Sequence, residues 1–259
     1  MKNYQAVESR GPRVEGKNGD ATFFFHPRPS ALDPRQAFTL IELLVVITII
    51  GILAALLMPL GAAVRRTAFI NKTKAEMAQV ETAIESYKAA YGFYPPDNPG
   101  HPLLNQLYYE LIGTTNTSPP TVSPIVFQPL DGNPAINGSQ LNSMFGNVNA
   151  ILNCSKPGAG EDTQPARSFI HELKPGQTGT NTNSVRGSPP VILLVGSVGG
   201  PDQSYKPLGA SGLNPWRYNS SSPTNNPGAY DLYIQLVIGG KTNLICNWSK
   251  QVQINNPLP

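Results

Sequence analysis

Residues 38–63, FTLIELLVVITIIGILAALLMPLGAA, constrain this chain more than any other stretch. Twenty-six residues in helical form rise about 39 Å, enough to cross the hydrocarbon core of a bilayer. The stretch carries one charge, Glu42. A carboxylate inside lipid costs about 2.5–3.5 kcal/mol on insertion scales, so it calls for a buried partner or a position at the membrane edge. Gly51 and Pro59 interrupt the apolar pattern. A proline there removes one backbone hydrogen bond and bends or loosens a helix.

The helical pattern continues past the apolar run. Met77, Val80, Ile84, Tyr87 and Tyr91 recur at spacings of three and four, one face of an amphipathic helix. Lys74, Glu76, Glu81, Glu85 and Lys88 populate the other faces. Gly92 and then Pro95-Pro96 stop the pattern. Residues 38–91 therefore read as one helix of roughly 80 Å, broken if anywhere near Pro59.

Four segments follow from this reading. Residues 1–37 form a basic leader without hydrophobic period. Residues 38–63 form the membrane-spanning helix, and 64–92 the amphipathic continuation. Residues 93–259 form an α+β domain rich in Asn, Ser, Thr, Pro and Gly. Within it, 103–113 reads as a short helix and 189–197 as a strand. Residues 230–238 and 241–248 flank Gly239-Gly240 as a β-hairpin. Residues 114–188 read as polar loop.

Charge excludes little. Of a net +3, residues 1–37 supply +2, six Lys/Arg against four Asp/Glu. The remainder is too small to imply nucleic acid or an anionic surface. Cys154 and Cys246 both follow the apolar run, so an exported domain would permit one disulfide; two separate thiols remain the alternative. Two cysteines and three scattered histidines, His26, His101 and His171, make no zinc site. Trp216, Tyr218, Tyr230, Tyr233 and Trp248 read either as a binding platform or as core and hairpin packing, the second being the commoner fate of such residues. Asn-x-Ser/Thr triplets at Asn71 and Asn219 are expected by chance in so polar a chain.

An ordinary export signal would be cut after its apolar core, and PLGAA at 59–63 offers small residues for that. The run is too long for such a signal, and the helix continues through it. AFTLIELLVVITIIGILAALLMP (37–59) instead resembles the N-terminal signature of type IV prepilins and type II secretion pseudopilins. The resemblance implies cleavage by a prepilin peptidase between Ala37 and Phe38, then N-methylation of Phe38. It places Glu42 fifth in the mature chain, and Gly51 and Pro59 at the family's helix-breaking positions. The family usually has Gly before the cut, where this chain has Ala37. The resemblance also implies that Glu42 pairs with the Phe38 amine of a neighbouring subunit in a fibre. Against the implied outward-facing domain, Arg65, Arg66, Lys72 and Lys74 follow the span while Arg28 and Arg35 precede it, a bias that favours a cytoplasmic C-terminal side.

YGFYPPDNPGHPLLNQL (91–107), NPWRYNSSSPTNNPGAYDLYIQLVIGG (214–240) and the terminal NW (247–248) resemble the major pseudopilin. That implies a pilin-like α+β fold, the long helix packed on a small antiparallel sheet domain with long loops. It implies a homo-oligomeric fibre in a type II secretion system. The partners would be the prepilin peptidase, other pseudopilins, inner-membrane secretion components and membrane lipid. The chain would lie in the bacterial inner membrane with its C-terminal domain outside. The major pseudopilin also holds calcium in its C-terminal loops. Here the loop is only GGKT (239–242), with Asp231 the sole nearby acid and Asp202 distant in sequence, so no calcium or other cofactor is expected.

Two other classes compete. A type IV pilus subunit is a close variant of the fibre reading, whereas a minor pilin that binds a ligand or DNA through loops 114–188 needs a basic or aromatic patch there. Lys156, Arg167, Lys174 and Arg186 are dispersed and countered by Glu161, Asp162 and Glu172, so no nucleic acid is expected. An anchored enzyme needs a catalytic constellation, and no Ser-His-Asp, paired-carboxylate or metal motif stands out.

Overall fold

The computed structural model describes residues 38–118, 123–146, 150–155, 165–181, 190–198 and 205–259, with residues 57–60 described by backbone alone. The leader 1–37, including Ala37, lies outside the described residues. The chain divides into two units, 1–53 and 54–259.

In the first unit, helix α1 (Leu40–Tyr91) begins. Every described large apolar side chain from Phe38 to Leu56 is exposed. Length and composition make α1 the one helix, among the described residues, long and apolar enough to cross a membrane. The helix runs through Gly51 and Pro59 without interruption, as one helix from Leu40 to Tyr91. A single proline removes only its own N–H, and the neighbouring turns keep their bonds.

In the second unit the later turns of α1 pack on the domain. Ile70, Thr73, Glu76, Val80, Ala83, Ile84 and Tyr87 are buried, while Met77 and Tyr91 are partly buried against the core. The expected face is therefore the packed face, with one correction. Glu76 belongs to it, because its carboxylate accepts from the Ser197 backbone N–H at 3.0 Å and from the Ser197 hydroxyl.

Helix α2 (Leu107–Ile112) is the expected short helix, trimmed to six buried residues. Residues 114–188, expected as loop, contain most of a second layer. Strands β1 (Thr114–Asn116), β2 (Val126–Pro129), β3 (Ile136–Asn137) and β4 (Cys154–Ser155) form a sheet ordered β3-β2-β1-β4. Its β1–β4 pair is parallel. Helix α3 (Gly138–Phe145) starts in a capping box: the Gln140 N–H donates to Asn137 Oδ1 at 2.9 Å, and the Asn137 N–H donates to Gln140 Oε1 at 2.7 Å. Strand β5 (Thr178–Asn181) pairs antiparallel with β6 (Val191–Leu194), the expected strand, whose residues are all buried.

The remaining sheet is antiparallel, ordered β10-β9-β8-β7, from β7 (Arg217–Asn219), β8 (Asp231–Ile238), β9 (Lys241–Cys246) and β10 (Ser249–Ile254). β8 and β9 form the expected hairpin, with Ile238 opposite Lys241. Gly239 and Gly240 turn it at φ 58° and 71°. A two-residue turn with positive φ at both positions fits the twist of the strands, and glycine adopts it without strain.

Candidate functional site

The site begins where α1 begins. Thr39 precedes the first helical residue, and its hydroxyl oxygen accepts from the Glu42 N–H at 3.3 Å. The Glu42 carboxylate accepts in return from the Thr39 N–H at 2.9 Å and the Thr39 hydroxyl at 2.8 Å. This is a capping box, Thr at the cap and Glu three residues on, which satisfies orphan donors of the first turn. The signal is legible in the sequence as T-x-x-E before an apolar run, and the sequence reading missed it. Phe38, Ile41, Val45 and Val46 line a shallow groove beside Glu42. Phe38 is 83% exposed. A carboxylate and an unburied apolar face thus lie within about one helical turn of Phe38.

Gly51 faces open space: a Cβ added there meets no atom within 4 Å. Of Pro59 only the backbone is described.

The segments that resemble a major pseudopilin meet in space. The Tyr218 hydroxyl donates to the Pro95 carbonyl at 2.9 Å, as does the Ser220 hydroxyl at 2.9 Å. Asp97 accepts from the backbone N–H groups of Ser220 and Ser221 at 3.0 and 3.1 Å. Tyr94 and Tyr230 stack edge to face, centroids 5.0 Å apart. Residues 91–97 and 216–230 therefore close one corner of the domain. Trp216, Tyr218, Tyr230 and Tyr233 are buried, and Trp248 packs edge to face on Tyr233. They act as core and hairpin packing, not as a platform.

Asp231 holds the loop before β8. One oxygen accepts from the backbone N–H groups of Thr224 and Asn225 at 2.9 Å and the Asn225 amide at 3.1 Å. The other accepts from the Asn226 N–H at 2.9 Å. These donors occupy the lone pairs a cation would need, and calcium takes six to eight oxygens. Among the described residues no group of three or more His, Cys, Asp or Glu is placed to hold a metal.

Cys154 and Cys246 carry thiols, not a disulfide. They lie on β4 and β9 of different sheets. Cys246 is buried, and burial raises its pKa above the usual thiol value.

The sequence also gave no notice of Glu110, which is fully buried on α2. Its carboxylate accepts from the N–H groups of Leu152 at 2.9 Å and Asn153 at 3.0 Å, the Tyr87 hydroxyl at 3.0 Å and the Gln106 amide at 3.1 Å. It thus ties α1, α2 and the segment before β4 together. Burial pushes its pKa above the usual carboxylate value, partly opposed by the donors from Leu152, Asn153 and Tyr87.

Loops 114–188 offer a cavity of about 670 Å³, lined in part by Asp131, Asn133, His171, Glu172 and Lys174. Its charges are of mixed sign. Lys156, Glu161, Asp162 and Arg186 lie outside the described residues.

Residues 33–58 match the prokaryotic N-terminal methylation motif. The matched residues take in Ala37, Phe38, Glu42 and Gly51, so the first turns of α1 lie within that motif. The chain is similar to type II secretion system core protein G of Escherichia coli (strain K12), 37% identical over 70 residues, 27% of this chain and 48% of that protein. It is also similar to fimbrial protein EcpB of Eikenella corrodens, 45% identical over 65 residues, 25% of this chain and 40% of that protein. The chain thus spans half or less of the length of these curated relatives. No solved structure matches it.

Proposed function

We propose that this protein is a structural subunit of a pilus-like fibre, a membrane-anchored pseudopilin of a type II secretion system that polymerises through α1 to drive protein export. One observation carries the reading: an unburied apolar helix whose first turn holds a lone carboxylate, inside a match to the N-terminal methylation motif. In this reading the prepilin peptidase cuts between Ala37 and Phe38 and methylates Phe38. The domain faces the outside of the bacterial inner membrane. Glu42 then pairs with the Phe38 amine of the next subunit, and Gly51 and Pro59 are where α1 loosens in the fibre. The role is structural and non-enzymatic, with other pseudopilins and inner-membrane components as partners.

The similarity to a fimbrial protein supports a second reading equally well, a type IV pilus subunit or ligand-binding minor pilin. Both share the same processing. Intact-mass and N-terminal analysis of the membrane-purified protein tests it: a chain beginning at N-methylated Phe38 is expected. A chain still beginning at Met1, or cut after Ala63, overturns it. Loss of protein export in a deletion strain that still makes surface pili separates the first reading from the second.

A further inference from the structure

The small net charge conceals a segregation. After Glu42 no acid occurs until Glu76, and none follows Asp231, while those two stretches hold Arg65, Arg66, Lys72, Lys74, Lys241 and Lys250. Residues 75–231 carry the opposite balance, seven Lys/Arg against eleven Asp/Glu.

The fold gathers the six cations on the turns of α1 that follow the apolar run and on the strands docked there. The Arg66 guanidinium donates to Asn243 Oδ1 on β9 from Nε at 3.1 Å and from Nη2 at 2.8 Å. The Asn243 amide donates in turn to the Lys241 carbonyl at 3.0 Å. Lys74 Nζ donates to the Lys250 carbonyl on β10 at 2.8 Å. These acceptors are neutral oxygens, so Arg66 and Lys74 are held in place with their charge intact. Arg65, Lys72, Lys241 and Lys250 are exposed. Arg65 comes two residues after Ala63 and Lys74 eleven, so the α1 cations lie within about 17 Å of the end of the apolar run. A headgroup layer extends about 5–8 Å beyond the hydrocarbon core, and its potential reaches about 8 Å further. The whole cluster therefore falls within range of a membrane surface.

An acidic face of a second copy is the rival occupant. Five of the eleven acids in 75–231, Glu76, Asp97, Glu110, Asp131 and Asp231, are taken by hydroxyl, amide or backbone donors of their own domain. The apolar run beside the cations favours lipid.

We propose that this basic end of the domain binds the phosphates of anionic lipid headgroups where α1 leaves the bilayer, with Arg65, Arg66, Lys72 and Lys241 in contact and Lys74 and Lys250 behind them. The inference rests on the reading of 38–63 as a membrane anchor, and not on which fibre the subunit joins. It gives the cations after the span a use on either side of the membrane.

The test reconstitutes the full chain in vesicles of phosphatidylcholine and phosphatidylglycerol, extracts it in mild nonionic detergent and quantifies the lipid that co-purifies. Phosphatidylglycerol is expected to be enriched over the vesicle composition at least about fivefold, the share of one cation at a membrane surface. Added salt should shrink the enrichment. Arg65→Gln, Lys72→Gln and Lys241→Gln together remove three exposed cations and are expected to lower it at least about threefold. Arg167→Gln, Lys174→Gln and Lys206→Gln remove the same charge from exposed positions elsewhere and should leave it unchanged. No enrichment in the wild type, or equal loss in the two triple variants, overturns the proposal. So does a first variant that loses crosslinked oligomers while its lipid ratio stays the same, which assigns the face to a second copy. Resistance to alkaline extraction from the vesicles is scored in parallel. A chain that washes off overturns the anchor reading and this proposal together, and a chain that stays without enrichment overturns this proposal alone.

Discussion

Glu42 has two uses for the same oxygens. In the single subunit they close the first turn of α1 through Thr39. In the proposed fibre they meet a neighbour's amine. Glu42→Gln keeps an acceptor for Thr39 and removes the charge, so membrane insertion should persist while fibre yield falls. Glu42→Val should do the same and lose the cap as well. Thr39→Ala removes the cap and leaves the charge, so fibres should still form. Membrane fractionation and the sheared-fibre fraction read all three, and wild-type fibres from Glu42→Gln would end the pairing account. Glu110 poses a different problem, a carboxylate kept in the core by four neutral donors. Its folded pKa is raised, so the folded state binds the proton more tightly than the unfolded chain does. Stability should be greatest below the usual carboxylate pKa and fall as pH rises through the raised value. The difference in denaturant midpoint between wild type and Glu110→Gln, followed against pH, isolates this slope. At neutral pH that variant should also lose about 1–3 kcal/mol, because its amide group faces N–H donors.

At the scale of elements, the segment after β6 approaches β8 closely at Gly196. A Cβ there would sit 2.6 Å from Cδ1 of fully buried Ile234, so that side chain would have to shift within the core. Gly196→Ala should therefore cost about 1–3 kcal/mol of overpacking, read as a lower thermal midpoint. What the sequence showed of these elements followed how strongly each one repeats. The apolar run, the 3–4 spacing of Val80, Ile84 and Tyr87, and the hairpin around Gly239-Gly240 all carry a period or an obligatory turn. Strands β1, β3 and β4 are two or three residues long, too short to show alternation, and their partners are far along the chain. Helix α3 contains Gly138, Ser139, Asn142 and Ser143, poor helix formers, and only its capping box announced it. Glu76 and Glu110 were misjudged or overlooked for one reason. A charged residue is buried only when donors from distant segments converge on it, and such convergence leaves no local pattern. Thr39 and Glu42 were the reverse, a local pattern in plain view within a motif that drew attention to the charge alone.

For the whole molecule, the described core is built from Ile70 onward, and none of the described side chains of residues 38–68 belongs to it. A chain starting at Val64 should therefore remain soluble and unfold cooperatively, by circular dichroism and heating, without detergent. Loss of folding would mean that the apolar segment supports the domain after all. Chemical labelling should modify half-buried Cys154 in the native protein and Cys246 only after unfolding, and a reductant should not shift the thermal midpoint.

The outward-facing apolar half of α1 has one more consequence in the proposed role. Subunits held in lipid by that helix diffuse in a plane, all pointing the same way. Encounters that in solution would need a search over volume and every orientation become collisions between aligned neighbours. Most of the entropy of assembly is thereby surrendered at insertion, before any two subunits touch.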